Sequence, residues 1–169
     1  MMAPKVKISD PPEADVIYMT EAGKQSLQQE LDHLLKHDRK QVLDDIRESR
    51  NVGEVVENSG YEDAKREQQL IDGRIDEIQQ ILQIARVVRK RTVPTDHAGI
   101  GSIVELHDLK RRRKLHYQLV GPFEADPENA KVSYASPIGK ALWGKKVGER
   151  VEVQAPSGLL RYRIENIKK

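Results

Sequence analysis

Apolar positions recur at helical spacing in the first half of the chain and alternate in short runs in the second. Leu27, Leu31, Leu34 and Leu35 begin a stripe that resumes at Val42, Leu43 and Ile46. It weakens from Lys36 to Lys40, which predicts a skip or local irregularity there. After Gly53 the pattern is cleaner: Tyr61, Ala64, Gln68, Ile71, Ile75, Ile78, Leu82 and Ala85 alternate spacings of three and four, the seam of a coiled coil. No proline lies between Pro12 and Pro94, so two long helices are allowed, the first from Thr20 to about Asn51. Each spans ~30 residues and about 45 Å at 1.5 Å per residue. Thr20 reads as the N-cap, with Glu21 favouring the first turn and Gly23 a mild cost to it. The short connection makes the helices antiparallel, with residues 53–59 at the far end.

Helical periodicity stops at 91–99, a stretch holding Pro94 and Gly99. Beyond it, Ser102 to His107, Leu115 to Val120, Val132 to Ala135, Arg150 to Gln154 and Leu160 to Ile167 read as strands. Ser136 to Leu142 reads as a turn into a short helix, and Pro156-Ser157-Gly158 as a hairpin turn. The predicted class is α+β. Residues 1–18 form a polar lead-in expected to be disordered, 19–90 an antiparallel coiled-coil hairpin, 91–99 a linker and 100–169 a small, mostly β domain.

Composition narrows this further. The 169 residues are 37% hydrophobic and only 4% aromatic, so the core must be small and aliphatic. Charged residues make up 33%, yet 29 Lys and Arg against 27 Asp and Glu leave a net +2. That balance suits exposed helices of mixed sign better than a uniformly basic nucleic-acid coat. The absence of cysteine excludes disulfides and thiolate metal sites and fits a reducing cytoplasm. No apolar run approaches the ~18 residues of a membrane span, and the N-terminus lacks the apolar segment of a signal peptide.

The candidate chemistry lies at the break between the helices, where Glu54 and Glu57 stand three apart. Carboxylates at that spacing in a charged helix are ordinarily solvated surface. At the end of a rod they build no pocket of their own, but can be delivered into another protein's. The run Lys110 to Lys114 reads as a solvated hairpin loop or a nucleic-acid contact. His33, His37, His97, His107 and His116 share no metal-ligand spacing and read as surface residues.

Over roughly Tyr18 to Ile167, with motifs in order in both halves, the chain resembles the bacterial Gre transcript-cleavage factors, and the GreA branch more than GreB. The family's tip motif is close to Gly-Asp-x-x-Glu-Asn-Ala-Glu-Tyr, and the chain has Gly53-Glu54-Val55-Val56-Glu57-Asn58-Ser59-Gly60-Tyr61. Ala64 to Gln69 and Gly73-Arg74-Ile75 continue the likeness, as do Ser136 to Lys145, Pro156-Ser157-Gly158 and Tyr162-Arg163-Ile164. The resemblance implies a factor that pushes its coiled coil into the secondary channel of bacterial RNA polymerase and stimulates cleavage of backtracked RNA. It is then an accessory to the polymerase's own activity, not an enzyme.

In that reading Glu54 and Glu57 hold a second Mg²⁺ shared with the polymerase active site and not bound tightly by this chain alone. Gly53, Asn58 and Tyr61 shape the tip, although Tyr61 reads equally as a seam residue. Arg47, Arg50, Lys65 and Arg66 hold the extruded RNA 3′ end, or pair with acids one turn away. Ser136, Pro137, Ile138, Trp143 and Lys145 contact the polymerase, from a C-terminal domain expected to be FKBP-like. Phe123 and Trp143 read as core or docking residues. The expected protein is a cytoplasmic monomer.

The tip departs from the family at Glu54, one methylene longer than aspartate, at Gly60 in place of an acid, and at apolar Val55 and Val56. Two readings therefore stay open, a cleavage factor and a channel-occupying inhibitor. A prolyl isomerase is a third, against which the scarcity of aromatics counts.

Overall fold

A computed structural model describes residues 16–51, 59–156 and 158–169. It divides into two compact units, Lys24–Ile84 and Ala85–Lys169, the latter joined by the segment ending at Gly23.

The helical unit is an antiparallel hairpin. Helix α1 (Glu21–His33) passes through a π-helical stretch, Leu34–Asp38, into α2 (Arg39–Asn51), and α3 (Ser59–Ile84) returns alongside. Thr20 caps α1 as expected, its Oγ1 accepting from Gly23 N at 3.0 Å. The π turn falls where the stripe weakens. From half-buried Leu34 to buried Val42 is eight residues, one more than a seven-residue seam repeat provides. A wider turn absorbs the extra residue and returns Val42 and Ile46 to the inward face.

On α3, Ala64, Ile75 and Ile78 are buried as the seam requires. Ile81 is also buried while Leu82 is only half-buried, and the helix ends before Ala85, so the inward stripe widens beyond the predicted seam. Two ion pairs tie the helices: Arg74 to Glu30 at 2.7 Å and Arg39 to Asp72 at 3.0 Å.

The second unit is built on five strands in the order β5-β4-β3-β7-β6: β3 (Ile103–Asp108), β4 (Arg113–Val120), β5 (Lys131–Ser133), β6 (Arg150–Ala155) and β7 (Gly158–Lys168). All neighbours are antiparallel except β4 and β5. Val104, Leu106, Leu119, Val151, Val153, Tyr162 and Ile164 form the core, which α4 (Pro137–Leu142) closes with Leu142. Gly139 lets α4 approach β5, since a Cβ there would lie 2.0 Å from Ser133 O. The α+β class, a helical hairpin followed by a mostly β unit, is as read from the sequence.

Two three-residue strands escaped that reading. β1 (Tyr18–Thr20) and β2 (Arg86–Val88) pair in parallel. Their Tyr18 and Val88 join Ile100 and Tyr134 in a second cluster, with Val16, Val93 and Trp143 against it. The domain boundaries therefore differ from those read as 1–18, 19–90 and 91–99. Residues 16–23 and 85–90 lie with the β unit, and the supposed linker is part of it: Ala98 is fully buried, and Pro94 O accepts from Ser102 Oγ at 2.9 Å.

Candidate functional site

The tip carboxylates Glu54 and Glu57, with Gly53 and Asn58, lie outside the described residues, and so does the side chain of Arg50. The structure defines what flanks them. Tyr61, in the first turn of α3, packs half-buried against the Val42, Ile46 and Ala64 cluster, the seam role it was given as one of two. A Cβ on Gly60 would lie 3.9 Å from Ser49 Oγ, so the end of α2 and the start of α3 run side by side. The segment carrying both glutamates joins these two ends.

Of the proposed RNA-binding cations, the three whose side chains are described are engaged within their own helices. Arg47 pairs with Asp44 at 3.0 Å and Arg66 with Asp63 at 3.5 Å, both one turn away, while Lys65 donates to Gln68 at 3.4 Å. Pairs this exposed contribute little and exchange readily for a phosphate.

The proposed polymerase contacts divide by burial. Ser136 is the N-cap of α4: its Oγ accepts from Gly139 N at 3.1 Å and donates to Ser133 O at 2.6 Å. Ile138 packs on the sheet core, and Trp143 meets Tyr134 edge to face with ring centroids 5.7 Å apart. Lys145 pairs with Glu149 at 3.2 Å. Pro137 is exposed on the first turn of α4, and Phe123 is 42% exposed, a surface residue.

Three arrangements carried no signal at sequence level. Glu124 clasps the entry to the hairpin: its carboxylate accepts from Thr20 N at 2.9 Å, Gly121 N at 3.0 Å and Thr20 Oγ1. A Cβ on Gly23 would fall 2.0 Å from Glu124 Oε1, so a side chain there would displace that carboxylate; α1 runs through Gly23 without a break, as read from the sequence. A register shift between β3 and β7 leaves Glu165 opposite no partner, and there it gathers Lys114 at 3.3 Å, His107 at 3.4 Å and Arg163 at 3.5 Å. The hydrogen bond from Lys114, aided by His107 and Arg163, holds its carboxyl below the usual range.

Asp108, 2% exposed, accepts from Arg111 N and Lys110 N at 2.9 Å each. Those donors, Arg111 N first, lower its pKa. His97 and His107 are corrected from surface to half-buried positions. Among the described residues no cluster of three or more metal-ligating side chains occurs, and no helix is long and apolar enough to cross a membrane.

The chain is thus a helical hairpin unit and a small β unit, with paired carboxylates in the sequence that connects α2 and α3. The comparisons agree across the chain. Residues 17–87 match the family of the transcription elongation factor N-terminal region, and residues 93–169 match the C-terminal region of transcription elongation factors GreA and GreB. Transcription elongation factor GreA of Chloroherpeton thalassium is 43% identical over 155 residues, covering 92% of this chain and 98% of the relative. GreA of Clostridium kluyveri is 41% identical over 151 residues, covering 89% and 95%. A crystal structure of GreA factor homolog 1 from Thermus thermophilus matches at 31% identity, 90% and 99% coverage and a TM-score of 0.42. The chain belongs to the GreA/GreB family of transcription elongation factors.

Proposed function

We propose that the protein inserts its helical hairpin into the secondary channel of bacterial RNA polymerase and stimulates Mg²⁺-dependent cleavage of backtracked RNA. The observation that carries this reading is the side-by-side closure of α2 and α3 at Ser49 and Gly60, with the only connection between them holding Glu54 and Glu57. A rod closed in this way reaches a buried active site without unfolding. Tyr61 and the Val42–Ile46–Ala64 cluster stiffen its last turns.

The donor set suits a hard cation. Two carboxylates, with no histidine or cysteine between Asn51 and Ser59, supply oxygen ligands only and leave most positions to water, phosphate and the polymerase's own acids. Such an ion supplies charge stabilisation and an activated water for phosphodiester hydrolysis. The chain's own part is to deliver Glu57 and Glu54, to lend Arg47, Arg50, Lys65 and Arg66 to the extruded RNA, and to dock through the face around α4.

The competing reading, a channel-occupying inhibitor, draws on Glu54 in place of aspartate and on Gly60 in place of an acid. Prolyl isomerase activity finds no support in two grooves of the β unit. They are lined by Leu109, Lys110, Arg150, Leu159 and Arg161, and by a set running from Ile103 to Lys168, without a Phe, Tyr or Trp in either.

The decisive experiment is RNA cleavage in stalled, backtracked complexes with Mg²⁺, wild type against Glu57→Gln. Shortened transcripts that extend again, and that vanish in the variant while binding persists, support the cleavage factor. Slowed elongation without shortening moves the protein to the inhibitor class.

A further inference from the structure

Charge is divided unevenly along the chain. Lys24–Ile84 carries nine Lys and Arg against fourteen Asp and Glu, whereas Ala85–Lys169 carries eighteen against nine. Much of the basic excess gathers at one end of the β sheet, where the β3–β4 turn holds Lys110, Arg111 and Arg112.

That turn is a built structure. The buried Asp108 carboxylate takes two backbone N–H groups, Asp108 O accepts from Arg112 N at 2.8 Å, and Leu109 N donates to Arg161 O at 3.0 Å, fastening the turn to β7. The result is a groove of about 660 Å³ lined by Leu109, Lys110, Arg150, Leu159 and Arg161. Its apolar side is open: Leu159 is 42% exposed. Arg161 is held by Glu152 at 2.8 Å, in a pair more than half exposed on both sides and so readily exchanged.

We infer that this groove docks an acidic protein segment bearing a leucine-like side chain. Lys110, Arg150 and Arg161 meet its carboxylates, and Leu109 and Leu159 take the apolar residue. A nucleic-acid strand fits less well. Its phosphates would satisfy the cations, but its backbone offers nothing to the two leucines, and no aromatic side chain lines the groove to stack a base. Its test does not depend on polymerase.

The probe is a fluorescein-labelled 15-residue peptide of Glu, Leu and Ala, titrated with the full chain by anisotropy at low and moderate salt. A Leu-to-Ser peptide and a labelled 20-bp DNA duplex are run in parallel. The Lys110→Glu/Arg150→Glu double variant leaves the turn intact, since Lys110 contributes only its backbone N–H to it. Binding weakened at least tenfold by this reversal, at least threefold by Leu159→Ser, and likewise by loss of the peptide leucines bears the inference out. A Lys90→Glu/Arg91→Glu variant, reversing exposed cations elsewhere, should bind as wild type. Equal peptide binding by all variants overturns the inference. So does duplex binding that needs Lys110 and Arg150 but not Leu159, which would make the surface a nucleic-acid contact. Thermal melting of each variant separates misfolding from lost binding.

Discussion

Arg74 grips Glu30 side-on across the helical hairpin, Nε to Oε1 at 2.7 Å and Nη2 to Oε2 at 3.0 Å, while its Nη1 reaches Glu77 at 2.7 Å. The fork fixes both the separation and the register of α1 against α3. Glu30 first, then Glu77, raise the guanidinium's pKa and keep it charged. Lysine has a single ammonium and cannot reproduce a two-bond contact. Arg74→Lys should therefore cost about 0.5–1 kcal/mol, discounted for partial exposure. Amide hydrogen exchange should locate the loss in the hairpin, and Glu30→Gln should add little on top of it.

Gly23→Ala tests the Glu124 clasp. Helix propensity alone predicts a gain of up to ~1 kcal/mol from alanine. The new Cβ would lie 2.0 Å from Glu124 Oε1 and expel a carboxylate that holds Thr20 and Gly121. Losing charged hydrogen bonds of this kind costs ~1.5–3 kcal/mol, so the net change in urea denaturation should be destabilising. A stabilised variant would show that the carboxylate relocates freely.

The long elements were legible because burial leaves a period. Ala64, Ile75 and Ile78 mark α3, and Val104 and Leu106 mark β3, each at the spacing its backbone imposes. The weakened stripe at Lys36–Lys40 also carried information, since a seam cannot absorb an extra residue without a wider turn. What stayed illegible depends on partners distant in sequence. Three residues are too few to show a period, so β1 and β2 were missed. Nothing near Gly23 announces Glu124, which arrives from 101 positions away. Trp143 and Ile138 sit in the stretch that carries the family likeness, and the residue pattern alone does not separate docking from packing.

Acid should weaken the β unit in a defined direction. Asp96, Glu105, Asp108, Asp126, Glu149 and Glu165 all have pKa values below their ordinary 3.8 and 4.5, chiefly through hydrogen bonds to the ionised form. A carboxyl with a depressed folded value leaves the unfolded chain holding more protons. Its stabilisation is present above the unfolded value and fades as pH falls through the folded one. The melting temperature should hold at neutral pH and drop steadily below about pH 4.5. Asp108→Asn keeps an acceptor oxygen for Lys110 N and Arg111 N, so it should flatten part of this dependence without abolishing the fold.

Residues around α4 should separate packing from docking. Ser136→Ala removes an N-cap, while Ser133 O keeps its bond from the backbone N–H of residue 136, costing about 1 kcal/mol in thermal denaturation. Pro137 is exposed, and Pro137→Glu should melt close to wild type. If α4 faces polymerase, Pro137→Glu weakens core-enzyme binding in a pull-down or anisotropy assay while stability is unchanged. Unchanged binding would remove this face from the docking surface.

Glu54→Asp probes the departure of the tip from the family pattern. The family places aspartate there, and glutamate moves the carboxylate outward by about 1 Å. Catalytic geometry is sensitive on that scale, with displacements near 1 Å costing on the order of 100-fold. The α2 and α3 ends approach at Ser49 and Gly60, outside the substituted position, so the substitution should alter reach without altering the rod. If the protein is a cleavage factor limited by that reach, Glu54→Asp raises the single-turnover cleavage rate in backtracked complexes and leaves polymerase affinity unchanged. A lower rate at equal affinity would mean that the tip is built around glutamate, with Val55, Val56 and Gly60 as compensating changes. No cleavage from either form, together with slowed nucleotide addition, would mark this member of the family as an inhibitor.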